Sequence, residues 1–237
     1  MLVALTRERG RNEELRQWVG RAADVVEVPL TATSFRSPDD VRDEIGALDA
    51  FGSFASLVVT SSRAQGYLDA AVAALGDDAQ VFSAGPATTR TLERVGLRVA
   101  RESTSTAADL AEFIAHGPVL LLGAAGGREE LPAALRAKGM VTSVVACYET
   151  TSVELDAGQR AQLRRADAVF IGAPSAWRSA REVVEDASWV LVPGETTLAA
   201  VRADHARVVR GWGEEFTRAW EMVTGSSPPR RDGGIGG

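Results

Sequence analysis

Short apolar runs alternate with helix-length amphipathic stretches along most of the chain, and this alternation predicts the fold. Leu2-Val-Ala-Leu5 and Val25-Val-Glu-Val28 read as buried strands. Between them a helix from about Asn12 to Ala22 sets Leu15, Trp18 and Val19 on one face. The stretch from Pro29 to Pro38 is extended and too polar for a core, and a helix follows from Asp39 to about Leu48. Strands are then expected near 55–60, 79–84, 97–100, 118–122 and 142–146, and helices near 63–75, 86–95, 105–116 and 128–138. Gly76, Gly96, Gly117 and Gly139 mark the helix exits. The remainder reads as helix 156–165, strand 167–172, helix 175–186, strand 189–192, helix 196–204, strand 206–210 and helix 213–223.

Strands separated by helices imply parallel sheets with right-handed crossovers. The middle of the chain supplies five strands, a complete lobe. The end supplies three, and the first two strands of the chain restore five. The predicted fold class is therefore α/β, with two parallel-sheet lobes joined by a two-stranded hinge connector. One lobe is discontinuous, 1–32 with 151–225, and encloses an inserted lobe, 33–150. Residues 226–237 have nothing to bury and are expected to be a disordered tail.

Composition narrows the partners. A formal charge of -6, with no dense basic stripe, argues against nucleic acid. No membrane-length apolar run or signal peptide is present, so the cytoplasm is the expected compartment and no membrane partner is expected. The single cysteine, Cys147, excludes an intrachain disulfide; its apolar neighbours make it a packed strand residue. With only two histidines, His116 and His205, far apart in sequence, no compact Cys/His metal site can be drawn. Trp177, Trp189, Trp212 and Trp220 are expected to build the split lobe.

The candidate chemistry lies where predicted strands end. Gly85-Pro86 joins a strand to a helix, with Pro86 suited to the first helical position and Thr88 in the opening turn. Thr60, Ser61, Ser62 and Arg63 follow another strand; one hydroxyl is the helix cap and the rest can hold an anion. Gly123-Ala-Ala-Gly-Gly with Arg128 resembles an anion-binding loop, but it has neither the spacing of a dinucleotide fingerprint nor the lysine of a phosphate loop. Tyr148, placed at a strand exit, can offer a phenolic proton or simply pack at a lobe junction. A structural role is the alternative at each of these positions.

Taken in order, these pieces resemble the uroporphyrinogen-III synthase family. They are Leu5-Thr-Arg7, Val26-Glu-Val-Pro-Leu30, Val58-Val-Thr-Ser-Ser-Arg-Ala64, Ala84-Gly-Pro-Ala-Thr88, Val119-Leu-Leu-Leu-Gly123 with Arg128 to Gly139, and Val144-Val-Ala-Cys-Tyr-Glu-Thr150. The resemblance spans roughly residues 1–225 and implies a split two-lobed fold with an interdomain cleft. It implies cyclisation of hydroxymethylbilane, a linear tetrapyrrole polycarboxylate, with inversion of the terminal ring and loss of water, and no cofactor or metal. A monomer, in transient contact with the preceding pathway enzyme, is the implied state. Tyr148 matches the tyrosine proposed in the family to assist departure of the hydroxyl, and Thr88 and Thr196 match threonines of the two lobes. Arg7, Thr60, Ser61, Ser62, Arg63, Gly85, Pro86, Gly123, Arg128, Pro174, Ser175 and Gly194 complete the implied substrate-binding set.

The chain also departs from the family pattern. Gly172-Ala-Pro-Ser-Ala176 replaces a Thr-Ser-Pro-Ser-Ala run, and Pro193-Gly-Glu-Thr196 replaces Gly-Pro-x-Thr. Asp204 stands where glycine is frequent, and Leu122 where a basic residue is expected. These changes keep open a catalytically inactive relative that binds a tetrapyrrole or another anion. Glu195 turned inward without a basic partner would favour that alternative. A two-lobed binding protein of the periplasmic type is a further alternative, disfavoured by the uneven strand split.

Overall fold

The computed structural model describes residues 1–20, 22–49, 52–103 and 107–225, so the tail expected at 226–237 lies outside the described residues. In chain order the first elements are β1 (Leu2–Leu5), α1 (Glu13–Val19), β2 (Asp24–Glu27), β3 (Thr31–Phe35), α2 (Pro38–Asp49) and β4 (Phe54–Val59). Then come a 3-10 helix (Ser62–Tyr67), α3 (Leu68–Ala73), β5 (Leu75–Ser83), α4 (Pro86–Arg94), β6 (Val99–Glu102) and a second 3-10 helix (Ala107–Glu112). The middle closes with β7 (Val119–Ala124), α5 (Glu130–Ala137) and β8 (Thr142–Ser152). Last are α6 (Ala157–Arg165), β9 (Ala168–Phe170), α7 (Pro174–Ala180), β10 (Trp189–Val192), α8 (Glu195–Arg202), β11 (Val208–Arg210) and α9 (Phe216–Thr224). The chain divides into two compact units, Met1–Ala32 with Thr151–Gly237, and Thr33–Thr150.

The first unit carries a five-stranded sheet in the order β11-β10-β9-β1-β2, every neighbouring pair parallel. Its strands are apolar at nearly every position because helices cover both faces. One face sets Ala4, Val169, Val190 and Val192 against Leu163, Trp177, Leu198 and Val201 of α6, α7 and α8. The other sets Val3, Leu5, Phe170 and Leu191 against Leu15 and Trp18 of α1 and against Phe216 and Trp220 of α9. Phe170 is the aromatic centre of this layer, with ring centroids 5.5 Å from Trp212 and 6.3 Å from Phe216. Gly211 lets the layer close, since a Cβ there would stand 2.8 Å from both Ala219 Cβ and Leu191 Cδ2.

The second unit has six strands, ordered β3-β8-β7-β4-β5-β6, where five were expected. The sixth is β3, the polar stretch read as a mere crossover. An edge strand needs only one paired side, so the β-branched and polar run Thr31–Phe35 is a good edge despite its polarity. It runs antiparallel to β8: Thr33 lies opposite Thr150, and the Arg36 amide bonds the Cys147 carbonyl at 3.0 Å. The other strands are parallel. Leu57, Val59, Leu120, Leu122, Val145 and Cys147 face α2, α3 and α4; Val58, Phe82, Val119 and Leu121 face the second 3-10 helix and α5.

Several boundaries differ from the sequence expectation for local reasons. The helix expected at 63–75 splits into a 3-10 helix and α3, with Gly66, a poor helix former, inside the 3-10 part. Gly76 lies within β5, not at a helix exit, because the chain enters that strand at Leu75. The helix expected at 105–116 is a 3-10 helix over Ala107–Glu112, tied to α5 by the Lys138 ammonium, which donates to the Ala111 and Ile114 carbonyls at 2.5 and 3.2 Å. The helix expected at 175–186 ends at Ala180, after which Val183 and Val184 turn into the core. Finally, β8 runs on to Ser152, so Tyr148 lies inside a strand and not at its exit.

Cys147 is fully buried, as expected of a packed strand residue, and burial pushes its thiol up to about 12. Two outcomes follow. The native protein is expected to resist an aromatic disulfide reagent that labels the urea-unfolded chain at once. Because the folded state holds this proton more tightly, stability is fully retained below the thiol's ordinary value of 9.0 and declines as pH rises from there towards about 12. Urea midpoints across that range, compared with those of Cys147→Ala, check the sign.

Candidate active site

Strand order dictates where a ligand can enter each unit. In the second unit the crossovers run from β4 outward through β5 and β6, then return to β7 and β8 on the other side of β4. The order therefore reverses between β4 and β7, and the crevice outside their carboxyl ends is the switch point at which open α/β sheets bind ligands. A pocket of about 510 Å³ lies there. Its lining includes Thr60 after β4, Gly123 and Ala124 of β7, the loop 125–129, the start of α5, and Val144, Ala146 and Tyr148 of β8.

The pocket floor depends on glycine for two separate reasons. At Gly123 a Cβ would lie 2.8 Å from Thr60 Oγ1, which already donates to the Leu122 carbonyl at 3.0 Å. Gly126 sits at φ 62° in a turn closed by the Gly127 amide on the Ala124 carbonyl, a conformation that L side chains adopt reluctantly. Gly123→Ala is expected to push Thr60 off its carbonyl and to cost roughly 1–3 kcal/mol of stability. A urea denaturation midpoint alongside that of Thr60→Ala checks it. A midpoint equal to that of the parent protein would mean that the contact relaxes freely.

Tyr148 reaches the pocket through an irregularity in β8. Gly123 pairs with Ala146 but Ala124 pairs with Tyr148, so β8 spends one extra residue, Cys147, against a single step of β7. Such a bulge re-aims the side chain that follows it. Tyr148 is buried, with its ring centroid 6.1 Å from that of Phe35 and the Arg63 guanidinium 5.8 Å from its ring. Thr60, Gly123, Arg128 and Tyr148 thus line one pocket, and Arg63 touches Tyr148 from outside the lining. Ser61 is the cap that accepts from the Arg63 amide, and Ser62 opens the 3-10 helix.

Gly85 and Pro86 stand at the start of α4, Gly85 at φ 157° and Pro86 at the first helical position. Thr88 is buried in that first turn and is not among the residues lining the pocket, so the structure gives it a packed position. Its neighbour Thr89 bonds Ser83 at 2.6 Å and also bonds Glu102, which ties the turn to the ends of β5 and β6. Leu122 is fully buried on the face opposite the pocket.

In the first unit the sheet reverses between β1 and β9. Arg7 follows β1 there, 5.8 Å from the Trp212 ring and 3.9 Å from Glu14, while Gly172 follows β9 with its α-carbon side turned to both Arg7 and Trp212. Thr6 pins the two strand ends by donating to the Phe170 carbonyl. Pro174 and Ser175 open α7, and Gly194 and Thr196 flank Glu195 at the start of α8. Glu195 has a basic partner: Arg210 lies 3.7 Å away and is also paired with Glu215, whose carboxyl it holds below the usual range. Asp204 accepts from the Trp177 indole at 3.2 Å and meets Arg181 at 3.7 Å, a structural tie between α7 and the end of α8. Sequence reasoning missed Arg210 as a residue of this edge and gave Trp212 only its packing role in the split lobe; their place here depends on the sheet order.

Comparison with known proteins then settles the family. The sequence profile described as "Uroporphyrinogen-III synthase HemD" matches residues 15–210, most of the chain. The chain belongs to the uroporphyrinogen-III synthase family. Membership brings, at the level of the family, lyase chemistry in tetrapyrrole biosynthesis on a two-domain α/β frame. A mutant uroporphyrinogen III synthase from the extreme thermophile Thermus thermophilus is similar in fold, with 18% identity, TM-score 0.67 and coverage of 94% of this chain and 99% of that one. The Helicobacter pylori uroporphyrinogen-III synthetase shows 14% identity and TM-score 0.59, over 94% of this chain and 98% of that one. The wild-type Thermus enzyme in another crystal form gives 19% identity and TM-score 0.52, over 95% and 96%. A search of curated protein sequences gives no match. Among the described residues there is no cluster of metal-ligating side chains, and no helix is long and apolar enough to cross a membrane.

Proposed function

We propose that the protein closes hydroxymethylbilane to uroporphyrinogen III, inverting the terminal pyrrole ring and releasing water. The observation that carries this reading is Tyr148 on the lining of a glycine-floored pocket at the switch point of the second unit. Departure of the terminal hydroxyl needs a proton on the leaving oxygen, and the Tyr148 phenol is the group assigned to deliver it. The bond between the methylene carbon and that oxygen then breaks, leaving an azafulvene-like cation. The terminal ring attacks through its substituted carbon to give a spirocycle. The original methylene bond at the spiro carbon then breaks, which leaves a second azafulvene-like cation on the neighbouring ring. The other α-carbon of the terminal ring attacks that methylene and loses its proton, and the ring is inverted.

The pocket suits the reacting end of such a substrate. Arg128 on the lining suits a carboxylate. Glu129 and Glu130 on the same lining suit the transient cation. In the first unit, Arg7, Ser175 and Thr196 are the groups of its carboxyl edge suited to an anion. No cofactor or metal enters this reading.

The two glutamates beside one arginine also favour a second reading, a non-catalytic relative that binds a tetrapyrrole with fewer carboxylates. One experiment separates the two. Purified protein is given freshly generated hydroxymethylbilane, the products are oxidised, and the type I and type III isomers are separated. Type III above the protein-free control supports the synthase. Type I alone from folded protein, together with tetrapyrrole binding, supports the second reading and removes the first.

A further inference from the structure

Tyr148 is held in place by a residue that lies outside the pocket lining. Arg36, just beyond β3, bonds both carbonyls that precede the tyrosine. Its backbone amide donates to Cys147 at 3.0 Å and its guanidinium to Ala146 at 2.9 Å. Those two residues are the bulge of β8. Arg36 is itself fixed from two sides, by the Glu44 carboxylate of α2 at 2.6 Å and by the Tyr67 hydroxyl, which donates to the Arg36 carbonyl at 2.8 Å. On the far side of β8 the Ala125 amide bonds the Tyr148 carbonyl at 2.7 Å. The bulge is thus clamped between an edge arginine and the glycine loop.

We propose that Arg36 is a positioning residue, which locks the Ala146–Cys147 bulge and thereby aims Tyr148 into the pocket. The inference rests on the reading of Tyr148 as the proton donor and adds the group that sets its geometry. An extra residue in an edge-side ladder leaves the strand locally free to slip, and a slip swings the following side chain towards the other face. Two donors from one side chain and its own amide oppose that slip. One guanidinium nitrogen, Nη1, bonds the Glu44 carboxylate and the Ala146 carbonyl at once, and the planar group fixes the directions of those two N–H bonds, which a freely rotating lysine ammonium does not. Glu44 then keeps the guanidinium from turning to solvent.

The test uses the full chain labelled with 13C at tyrosine Cζ. It has two tyrosines, so two signals are expected, and the one lost in Tyr148→Phe belongs to Tyr148. Arg36→Gln is expected to move the Tyr148 signal in the substrate-free protein. It should lower kcat for the type III product on the order of tenfold to a hundredfold, the scale of a misplaced catalytic group. KM should stay within about twofold, since the group acts in the transition state. In a Tyr148→Phe background the same change should alter kcat by less than about twofold, because the two residues act as one unit. Arg36→Lys should fall between the parent and Arg36→Gln.

Full additivity of the two substitutions, or an unmoved Tyr148 signal, overturns the proposal. If Arg36→Gln does not fold, Arg36→Lys and Glu44→Gln supply the same two readings. If the parent protein makes no type III product, the proposed reaction falls by itself. The tyrosine signal then decides the positioning role: moved in the Arg36 variants, it stands; unmoved, it falls.

Discussion

Tyr148→Phe is expected to lower kcat for type III uroporphyrinogen about a hundredfold, the lower end of what a positioned general acid contributes. The substitution removes one oxygen and keeps the ring, so the contacts with Phe35 and Arg63 survive and the core beneath β8 stays filled. KM and the unfolding midpoint should therefore change little. Steady-state turnover with separation of the isomers gives kcat and KM, and a urea titration gives the midpoint. Unchanged kcat would move the proton donor elsewhere on the lining, with Glu129 and Glu130 next in line. A fall in stability equal to the fall in rate would make Tyr148 a packing residue only.

Phe170→Ala is expected to cost about 3–5 kcal/mol, the usual penalty for emptying an aromatic site in a close-packed layer. Phe170 is fully buried on β9, between Trp212 and Phe216, in the face that α1 and α9 cover. The lost area cannot be recovered by collapse, because β9 is a central strand bonded to β1 and β10. Trp212 also flanks Arg7, so the cavity loosens the carboxyl edge of the first unit as well. Calorimetry on the parent and the variant, with Phe170→Leu as the smaller truncation for comparison, measures the cost. A loss below that of Phe170→Leu would mean that the aromatic layer repacks around the gap.

What the sequence disclosed depended on how local the determinant was. Apolar periodicity found the strands of both sheets, because each is a run of buried residues bounded by turn signals. It read β3 as a connector, since Thr31–Phe35 is polar and becomes a strand only by pairing with β8. The strand-end loops at Thr60, Gly123 and Arg128 were legible, and the structure gathers them with Tyr148 on one pocket. Thr88 could be read from the sequence either as a local helix-start residue or as a ligand hydroxyl, and the structure buries it in the first turn of α4. Arg36 gave no signal at all: its role depends on a bulge more than a hundred residues away in sequence. The contacts of Arg210 with Glu195 and of Trp212 with Arg7 were hidden for the same reason, as strand order and not spacing makes them, although the packing of Trp212 in the split lobe was foreseen.

The amine at position 138 has a practical use. It is the chain's one lysine, and its ammonium sits on the carbonyls of Ala111 and Ile114, behind the wall that Ala107, Ala108, Leu131 and Pro132 give the pocket. An acylating reagent can therefore modify only this side chain and the α-amine at Met1, and tryptic peptides report the two separately. Lys138 is exposed, so it is the two hydrogen bonds and not burial that slow the first of these while the tie holds. Its acylation rate, set against that of Met1, is then a clock for how often the 3-10 helix lifts from α5. A ligand that fills the pocket and presses that wall together would slow the clock without touching the lysine.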